Sequence, residues 1–258
     1  MTWRQHFSDH LELAKFRICI LALMMATLGY WLGVGSGTFR PWHFIVSLLG
    51  IALVGVSSGF LNQYLERDVD GKMWRTLNRP LPGERISPGY VLKVGFVVGF
   101  LGELILLVFV NPVTAVLGGF TLLFYLGIYT PSKRVSPNST LIGAIPGALP
   151  PLMGWTSSYG MLHWEGFVLF LVLFLWQIPH FLAIAWLYQA DYSRAGMPVL
   201  PVVDPGGRAT ARQALFYLVA LAFVVALPTY WGLTGRVYLV GTTIASTVFL
   251  GSGIFLAR

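Results

Sequence analysis

Long apolar segments recur along almost the whole sequence, and they constrain the fold more than any other feature. An α-helix needs roughly 20 apolar residues to cross the hydrocarbon core of a bilayer, which is about 30 Å thick. Because backbone facing lipid must satisfy its hydrogen bonds internally, the predicted fold class is all-α, a polytopic transmembrane helical bundle. We predict eight spans, at residues 16–35, 43–64, 90–110, 113–130, 140–157, 165–188, 213–232 and 236–256.

The composition agrees with a membrane protein. Hydrophobic residues make up 56% of the 258 positions and charged residues only 10%, with a mean hydropathy of +0.71, which is unusual for a soluble domain. We predict one transmembrane domain over residues 1–258, with residues 1–15 as a retained cytoplasmic arm, since they are too polar for a cleaved leader. Cys19 is the single cysteine, so a disulfide within the chain and a cysteine metal cluster are both excluded.

Lysine and arginine predict the orientation, because loops rich in them stay on the cytoplasmic side. Of the 17 basic residues, the loops on the opposite side hold only Arg40 and Arg236. The N-terminus and the 2–3, 4–5 and 6–7 loops are therefore expected to be cytoplasmic, in a multi-pass protein of a bacterial plasma (inner) membrane. The net charge of +7 follows from this topology, so it gives no reason to expect a nucleic-acid partner.

The densest charge follows the second predicted span. Asn62, Glu66 and Asp70 are spaced four apart and share one helix face, whereas Asp68 lies off that face. Mg²⁺ prefers oxygen ligands and usually binds one or two carboxylates together with substrate phosphate, and the downstream Arg75 and Arg79 have guanidinium groups suited to phosphate. The segment predicts a magnesium diphosphate site. The alternative is a solvated loop in which acids and bases neutralise each other.

This segment resembles the first aspartate-rich motif of the membrane prenyltransferase superfamily, N-x-x-x-D-x-x-x-D, with Glu66 where many members have aspartate. Further blocks resemble one branch, the protoheme IX farnesyltransferases: Met73-Trp-Arg75-Thr76-x-x-Arg79-Pro80, Tyr129-Thr130-x-x-Lys133-Arg134, Gly147-Ala148-x-Pro150-Pro151-x-x-Gly154-Trp155, Trp176-Gln177-x-Pro179-His180-Phe181 and Asp191-Tyr192-x-x-Ala195-Gly196. The resemblance covers roughly residues 60–203.

The resemblance implies an Mg²⁺-dependent prenyltransferase that moves a farnesyl group from farnesyl diphosphate to a vinyl group of haem B through an allylic carbocation, giving haem O. Its implied partners are these two substrates, the lipid bilayer, and a haem A synthase or terminal oxidase assembly pathway. The implied metal ligands are Asn62, Glu66, Asp70 and, in a second acidic loop, Asp191. The implied catalytic residues are Asn62, Asp70, Lys133, Arg134 and Asp191. The implied substrate-binding residues are Glu66, Arg75, Arg79, Tyr129, Trp155, His180 and Tyr192.

Several of these residues have a plainer explanation. Lys133 and Arg134 also serve as a topology signal, and His180 also suits a hydrogen bond to a neighbouring helix. The aromatic residues that could stabilise the carbocation by cation–π contact also suit simple packing: Tyr64, Tyr125, Tyr129, Trp155 and Trp176. Glu103 belongs to no motif, and we expect it to make a structural hydrogen bond.

Three competing functions stay open. A prenyltransferase for a quinone precursor such as 4-hydroxybenzoate shares the first acidic motif, although the blocks around Met73 and Asp191 favour the haem branch. A small-molecule transporter also has broken helices, but its charges usually lie near the bilayer midplane. A haem-binding assembly factor would not need the Asn62, Glu66 and Asp70 face. The superfamily usually has nine spans, so we expect a ninth to be missing after residue 258.

Overall fold

The chain is helical in the computed structural model, which describes residues 3–256 and the side chains of residues 3–251. The described residues contain no β-strand, and the predicted all-α class is confirmed. The helices are α1 Trp3–Leu13, α2 Phe16–Val34, α3 Pro41–Asp70, α4 Pro88–Ile105, α5 Pro112–Phe124, α6 Thr130–Ser132, α7 Ser139–Gly147, α8 Leu149–Tyr159, α9 Trp164–Leu187, α10 Gln189–Arg194, α11 Leu200–Val203, α12 Arg208–Val224, α13 Leu227–Tyr230 and α14 Arg236–Leu256. Two π-helical turns, Leu106–Val110 and Tyr125–Tyr129, extend α4 and α5.

Within the described residues, six helical stretches are long and apolar enough to cross a membrane, so the chain is an integral, multi-pass membrane protein. They are Phe16–Val34, Pro41–Asp70, Pro88–Val110, Pro112–Ser132, Trp164–Leu187 and Arg208–Tyr230. The other two predicted spans also occur as helices. The fifth is divided into α7 and α8, and the eighth is α14, so the count of eight spans is approximate.

Local sequence signals explain where the long helices begin. Pro41, Pro88 and Pro112 each stand in the first turn of a helix, where a missing backbone N–H costs no intrahelical hydrogen bond. The Asn111 side chain accepts a hydrogen bond from the Thr114 backbone N–H at 2.9 Å, and Ser87 caps α4 in the same way. These caps satisfy donors that a helix leaves unpaired at its N-terminus.

The chain folds into two compact units. The first comprises residues 1–131 and 149–162, and it contains α1 to α5 and α8. In this unit, glycines let α2 and α8 touch through their backbones: a Cβ on Gly154 would lie 2.7 Å from the Ala26 carbonyl carbon, and one on Gly29 would lie 2.8 Å from that of Pro151. Close backbone contact of this kind is typical of membrane helices. It buries most of α8, as its prolines require.

Residues 132–148 and 163–258 form the second unit, with α7 and α9 to α14. Ala144 of α7 packs with Ile178 and Leu182 of α9 in a buried cluster. Gln177 donates a hydrogen bond to the Ala144 carbonyl at 3.3 Å. Its amide carbon lies 3.2 Å from where a Cβ on Gly147 would be, so the glycine provides the space for this side chain.

The N-terminal arm is a helix that packs on the rest of the first unit. Asp9 of α1 is 3% exposed and binds Arg85 through two guanidinium nitrogens, Nη2 at 2.8 Å and Nε at 3.0 Å. Gln63 of α3 donates a hydrogen bond to the Glu12 carbonyl at 2.8 Å. The hydrogen bonds with Asp9 raise the pKa of Arg85 above its usual value, so the guanidinium stays charged at neutral pH.

Candidate active site

Asn62, Glu66 and Asp70 occupy the last turns of α3, which ends at Asp70. The side chains lie on a buried face, with exposed fractions of 0%, 5% and 1% for the three residues. Asp68, two residues away from two of them, is exposed. The predicted difference between the shared face and Asp68 therefore appears in the structure as a difference in burial.

The two oxygens of the Asp70 carboxylate have different surroundings. Oδ2 accepts a hydrogen bond from Arg79 Nη1 at 2.7 Å, whereas Oδ1 is buried and has no hydrogen-bond partner among the described residues. The loop after α3 brings Arg79 back to this position, and the Thr76 hydroxyl stabilises the turn by donating to the Asp70 carbonyl at 2.8 Å. A buried oxygen without a partner costs free energy, so Oδ1 is suited to a ligand.

This donor set fits Mg²⁺. In the part of the chain that the structure describes, no group of three or more His, Cys, Asp and Glu side chains could hold a metal ion by itself. The face offers two carboxylates, Glu66 and Asp70, and one amide, Asn62. Mg²⁺ commonly binds in this way, because it takes few protein carboxylates and completes its shell with water and substrate phosphate.

Lys15 is a site residue that from sequence is only one of the 17 basic residues that predict the orientation. Its ammonium donates hydrogen bonds to Asn62 Oδ1 and, at 3.2 Å, to the Tyr125 hydroxyl. Lys15 joins α1 to α2 in a left-handed backbone conformation, with φ of 50°, which is uncommon for a residue with a side chain. No local pattern indicates that Lys15 reaches a residue 47 positions later.

Thr130 is a second residue that the sequence analysis did not single out for the site. Its hydroxyl accepts a hydrogen bond from Asn62 Nδ2 at 3.0 Å and donates one to the Tyr125 carbonyl at 2.9 Å. Tyr125 and Tyr129 belong to the π-helical turn before Thr130, and their rings lie 5.2 Å apart. This turn therefore reaches Asn62 indirectly, through Thr130 and through the Tyr125 hydroxyl on Lys15, and π-helical turns are frequent at functional sites.

The other predicted residues of the first unit lie in different settings. Arg75 is exposed on the loop after α3. Tyr64 lies under the Arg67 guanidinium, 4.4 Å from the ring centroid. Trp155 is 3% exposed on α8 and lies 5.3 Å from the Tyr159 ring, and its buried Nε1 has no hydrogen-bond partner within the described part of the chain.

Glu103 of α4 does not fit the sequence expectation of a structural hydrogen bond. Its Oε1 is buried and has no hydrogen-bond partner among residues 3–251. The carboxyl carbon lies 3.2 Å from where a Cβ on Gly118 would be. The glycine therefore makes room for the carboxyl group without supplying a donor to it.

The remaining predicted residues belong to the second unit. Asp191 of α10 is 7% exposed and pairs with Arg194 at 3.3 Å, and Tyr192 beside it is half-buried. In the turn before α7, Lys133 is half-buried and Arg134 is exposed. On α9, the ring of His180 stacks on Trp176, with centroids 4.9 Å apart and planes 17° apart, which leaves a flat aromatic pair with Trp176 41% exposed.

The sequence pattern of the UbiA prenyltransferase family matches residues 22–258. The chain belongs to this family. It is 44% identical to the protoheme IX farnesyltransferase of Solibacter usitatus, over 96% of this chain and 88% of the relative. It is 41% identical to the protein of the same name from Opitutus terrae, over 96% and 83%. This member of the UbiA family is thus a prenyltransferase, and the resemblance to the protoheme IX farnesyltransferase branch is confirmed.

Solved structures agree with the fold. A digeranylgeranylglyceryl phosphate synthase superposes with a TM-score of 0.80 at 19% identity, covering 98% of this chain and 88% of the other. A UbiA homologue from Archaeoglobus fulgidus, solved with DMAPP and Mg²⁺, gives 0.66 at 15% identity, covering 96% and 85%. At these identities the likeness establishes only that this UbiA family member shares their helical fold.

Proposed function

We propose that this prenyltransferase transfers the farnesyl group of farnesyl diphosphate to a vinyl group of haem B, giving haem O. The names of the relatives at 44% and 41% identity support this choice of substrates. The observation that carries the proposal in the structure is the buried face of Asn62, Glu66 and Asp70, with Asp70 Oδ1 lacking a hydrogen-bond partner among the described residues.

In this proposal, Asn62, Glu66 and Asp70 hold Mg²⁺, which supplies positive charge against the leaving diphosphate when bound. Arg79 donates to Asp70 Oδ2 at 2.7 Å and so holds this carboxylate in one orientation. Lys15 adds a second cation through Asn62. Arg79 and Lys15 stabilise the leaving diphosphate more than the intact farnesyl diphosphate, because the negative charge on the diphosphate increases as the bond breaks.

The bond that breaks joins the first farnesyl carbon to the diphosphate oxygen, and its electron pair leaves with the diphosphate. The allylic cation then adds to the terminal vinyl carbon of haem B. Water adds to the adjacent carbon and loses a proton, which completes a hydroxyethyl farnesyl side chain. Tyr125 and Tyr129, with rings 5.2 Å apart, provide aromatic faces that stabilise positive charge.

Residues of the second unit complete the proposal. Asp191 serves as the ligand of a second metal site, with Ala195 where many superfamily members carry another acid, and Lys133 and Arg134 bind the leaving diphosphate. The stacked pair of Trp176 and His180 on α9 offers a flat surface to the haem ring, and Tyr192 binds substrate. These roles rest on the family motif and are proposals for each residue.

The proposed setting is a bacterial inner membrane, with the N-terminus and the acidic loops on the cytoplasmic side. The asymmetry of basic residues supports this orientation, with only Arg40 and Arg236 in the opposite loops. The product would pass to an enzyme that oxidises haem O or to a terminal oxidase, and a haem A synthase fits that class.

The test uses the purified chain in lipid nanodiscs with farnesyl diphosphate, Mg²⁺ and haem B, followed by mass detection of a farnesylated haem. We expect Asp70→Asn and Asn62→Ala to lose at least about 10²-fold in turnover, the size of effect seen when one electrostatic group of a catalytic site is removed. Asp68→Asn is the matched control, since this acid is exposed on the same helix, and it should retain wild-type turnover.

Three results would count against the proposal. Equal turnover of Asp70→Asn and Asp68→Asn would show that Asp70 is not part of the metal site. Turnover that continues after chelation of Mg²⁺ would show that the reaction does not need the metal. Prenylation of 4-hydroxybenzoate or a quinol precursor in place of haem B would keep the diphosphate site and change the acceptor.

A further inference from the structure

The N-terminal helix α1 has two opposite faces. Asp9 and Leu13 lie on the inner face, with exposed fractions of 3% and 0%. Trp3, Phe7 and Leu11 follow each other at intervals of four, so they share another face. At about 100° per residue, that face points away from Asp9 and Leu13.

The inner face holds α1 in one orientation. Leu13 packs into a buried cluster with Phe60 and Ile86, while Asp9 is bound by two nitrogens of Arg85. His10 adds a third attachment, with Nε2 at 3.0 Å from the Tyr90 hydroxyl. Rotation of α1 about its axis would break all of these contacts, so the Trp3 and Phe7 face stays directed outward.

The outer face is strongly apolar, and two of its three residues are exposed. Trp3 is 80% exposed and Phe7 is 56% exposed. Their rings stack on each other at 5.9 Å with 8° between the planes. Aromatic side chains of this size bury large areas when they contact an apolar surface. Contact of Trp3 and Phe7 with such a surface is therefore considerably more favourable than exposure to water.

α1 is close in sequence to a segment that crosses the bilayer. α1 ends at Leu13 and the first candidate membrane span begins at Phe16. The first residues of that span also expose apolar side chains, with Phe16 at 48% and Ile18 at 64%. The exposed aromatic pair on α1 is thus continuous along the chain with a surface that contacts lipid.

We propose that α1 is an interfacial helix whose Trp3 and Phe7 side chains insert at the boundary between lipid headgroups and acyl chains. Helices that lie in this plane combine an apolar aromatic face with charged residues beside it. Arg4, which is exposed and adjacent to that face, is placed to reach lipid phosphates. The occupant of the surface is the bilayer itself.

The consequence for the candidate active site is mechanical. α1 carries Asp9, which pairs with Arg85. Arg85 belongs to the same loop as Arg79, the partner of Asp70. α1 ends next to Lys15, which contacts Asn62. Insertion of Trp3 and Phe7 in the membrane surface therefore supports both the loop and Lys15 in position.

The experiment compares two neighbouring positions on different faces of α1. Phe7→Cys and Ser8→Cys are made separately in a Cys19→Ser background. The serine keeps a donor for the Ala14 carbonyl, which Cys19 Sγ contacts at 3.1 Å. Each cysteine carries a nitroxide spin label, and the intact chain is placed in phosphatidylcholine nanodiscs. Collision rates with dissolved oxygen, which concentrates in lipid, and with a water-soluble nickel chelate are then measured.

We expect the label at position 7 to have a severalfold higher ratio of oxygen to nickel collisions than the label at position 8. A label at Trp3→Cys should follow position 7, which guards against a local disturbance at Phe7. Thermal unfolding of each labelled variant verifies the fold. Water-like ratios at both 3 and 7 in folded protein overturn the proposal, whether the face is then solvated or kept for a protein partner.

Discussion

Replacement of Arg79 by alanine tests the central contact of the candidate site without any substrate. The Arg79 guanidinium lies 2.7 Å from Asp70 Oδ2, and the two side chains are 21% and 1% exposed. Asp70 Oδ1 already lacks a hydrogen-bond partner among the described residues. Arg79→Ala therefore leaves a buried carboxylate with neither of its oxygens hydrogen-bonded to a side chain of the described part of the chain.

The size of the effect follows from the burial. Removing one partner of a fully buried ion pair costs about 3–5 kcal/mol, and a hydrogen bond to a charged group is worth about 1.5–3 kcal/mol. Because the Arg79 side chain keeps 21% exposure, water reaches the gap in part, and we expect a loss below that of a fully buried pair, about 2–3 kcal/mol. The loss should become smaller when Mg²⁺ and diphosphate are added, if they bind at this carboxylate.

The free energy of unfolding is measured by tryptophan fluorescence during unfolding in mixed micelles, first without metal or substrate. Lys72→Ala is the control, since it removes one positive charge from an exposed position of the same loop. The double variant Asp70→Asn with Arg79→Ala should recover part of the lost stability, because its buried side chain is neutral. Equal stability of Arg79→Ala and Lys72→Ala, or no recovery in the double variant, would refute the reasoning.

Three further predictions concern the scaffold. Gly154→Ala should lower the free energy of unfolding by about 1–3 kcal/mol, because its Cβ would lie 2.7 Å from the Ala26 carbonyl carbon, whereas Gly89→Ala, with open space around it, should not. Hydrogen bonds from Thr210, opposed by desolvation and joined by one from the Ala209 N–H, hold the pKa of Asp204 below its usual 3.8. The depressed pKa stabilises the fold at pH values above 3.8, and this stabilisation is lost as the carboxylate is protonated. Wild type should therefore lose more stability than Asp204→Asn as the pH falls from about 5 to about 3, as measured by thermal unfolding. Glu103→Gln should have a free energy of unfolding that is higher than that of wild type or lower by no more than about 0.5 kcal/mol, since Oε1 has no described donor to lose. A large loss of stability would mean that Oε1 has a partner.

The positions of the helices could be predicted from sequence because the relevant physics is local. A bilayer requires long apolar helices, and the predicted spans begin within a few residues of α2, α3, α4 and α9. The shared face of Asn62, Glu66 and Asp70 also follows from helix periodicity alone. The family could be recognised for the same reason, since its motifs are short stretches of consecutive residues.

Contacts between distant residues could not be predicted in this way. Lys15 reaches Asn62 across 47 positions, and Asp9 reaches Arg85 across 76. From sequence, Lys15 is only one of the basic residues that predict the orientation. Glu103 is expected to make a hydrogen bond, but its Oε1 has no hydrogen-bond partner among the described residues. Neither outcome has a local signal, because a side-chain partner depends on which helices pack together.

The sequence by itself determined the membrane class, the approximate spans, the family and the row of oxygen donors, since these depend on hydropathy and on helix periodicity. Only the tertiary structure decided which of those oxygens has a partner, how Arg79 returns to Asp70, and that Lys15 and Thr130 stand beside Asn62. The physical reason is that burial and hydrogen bonding are properties of packed neighbours, and neighbours in space are set by the whole chain.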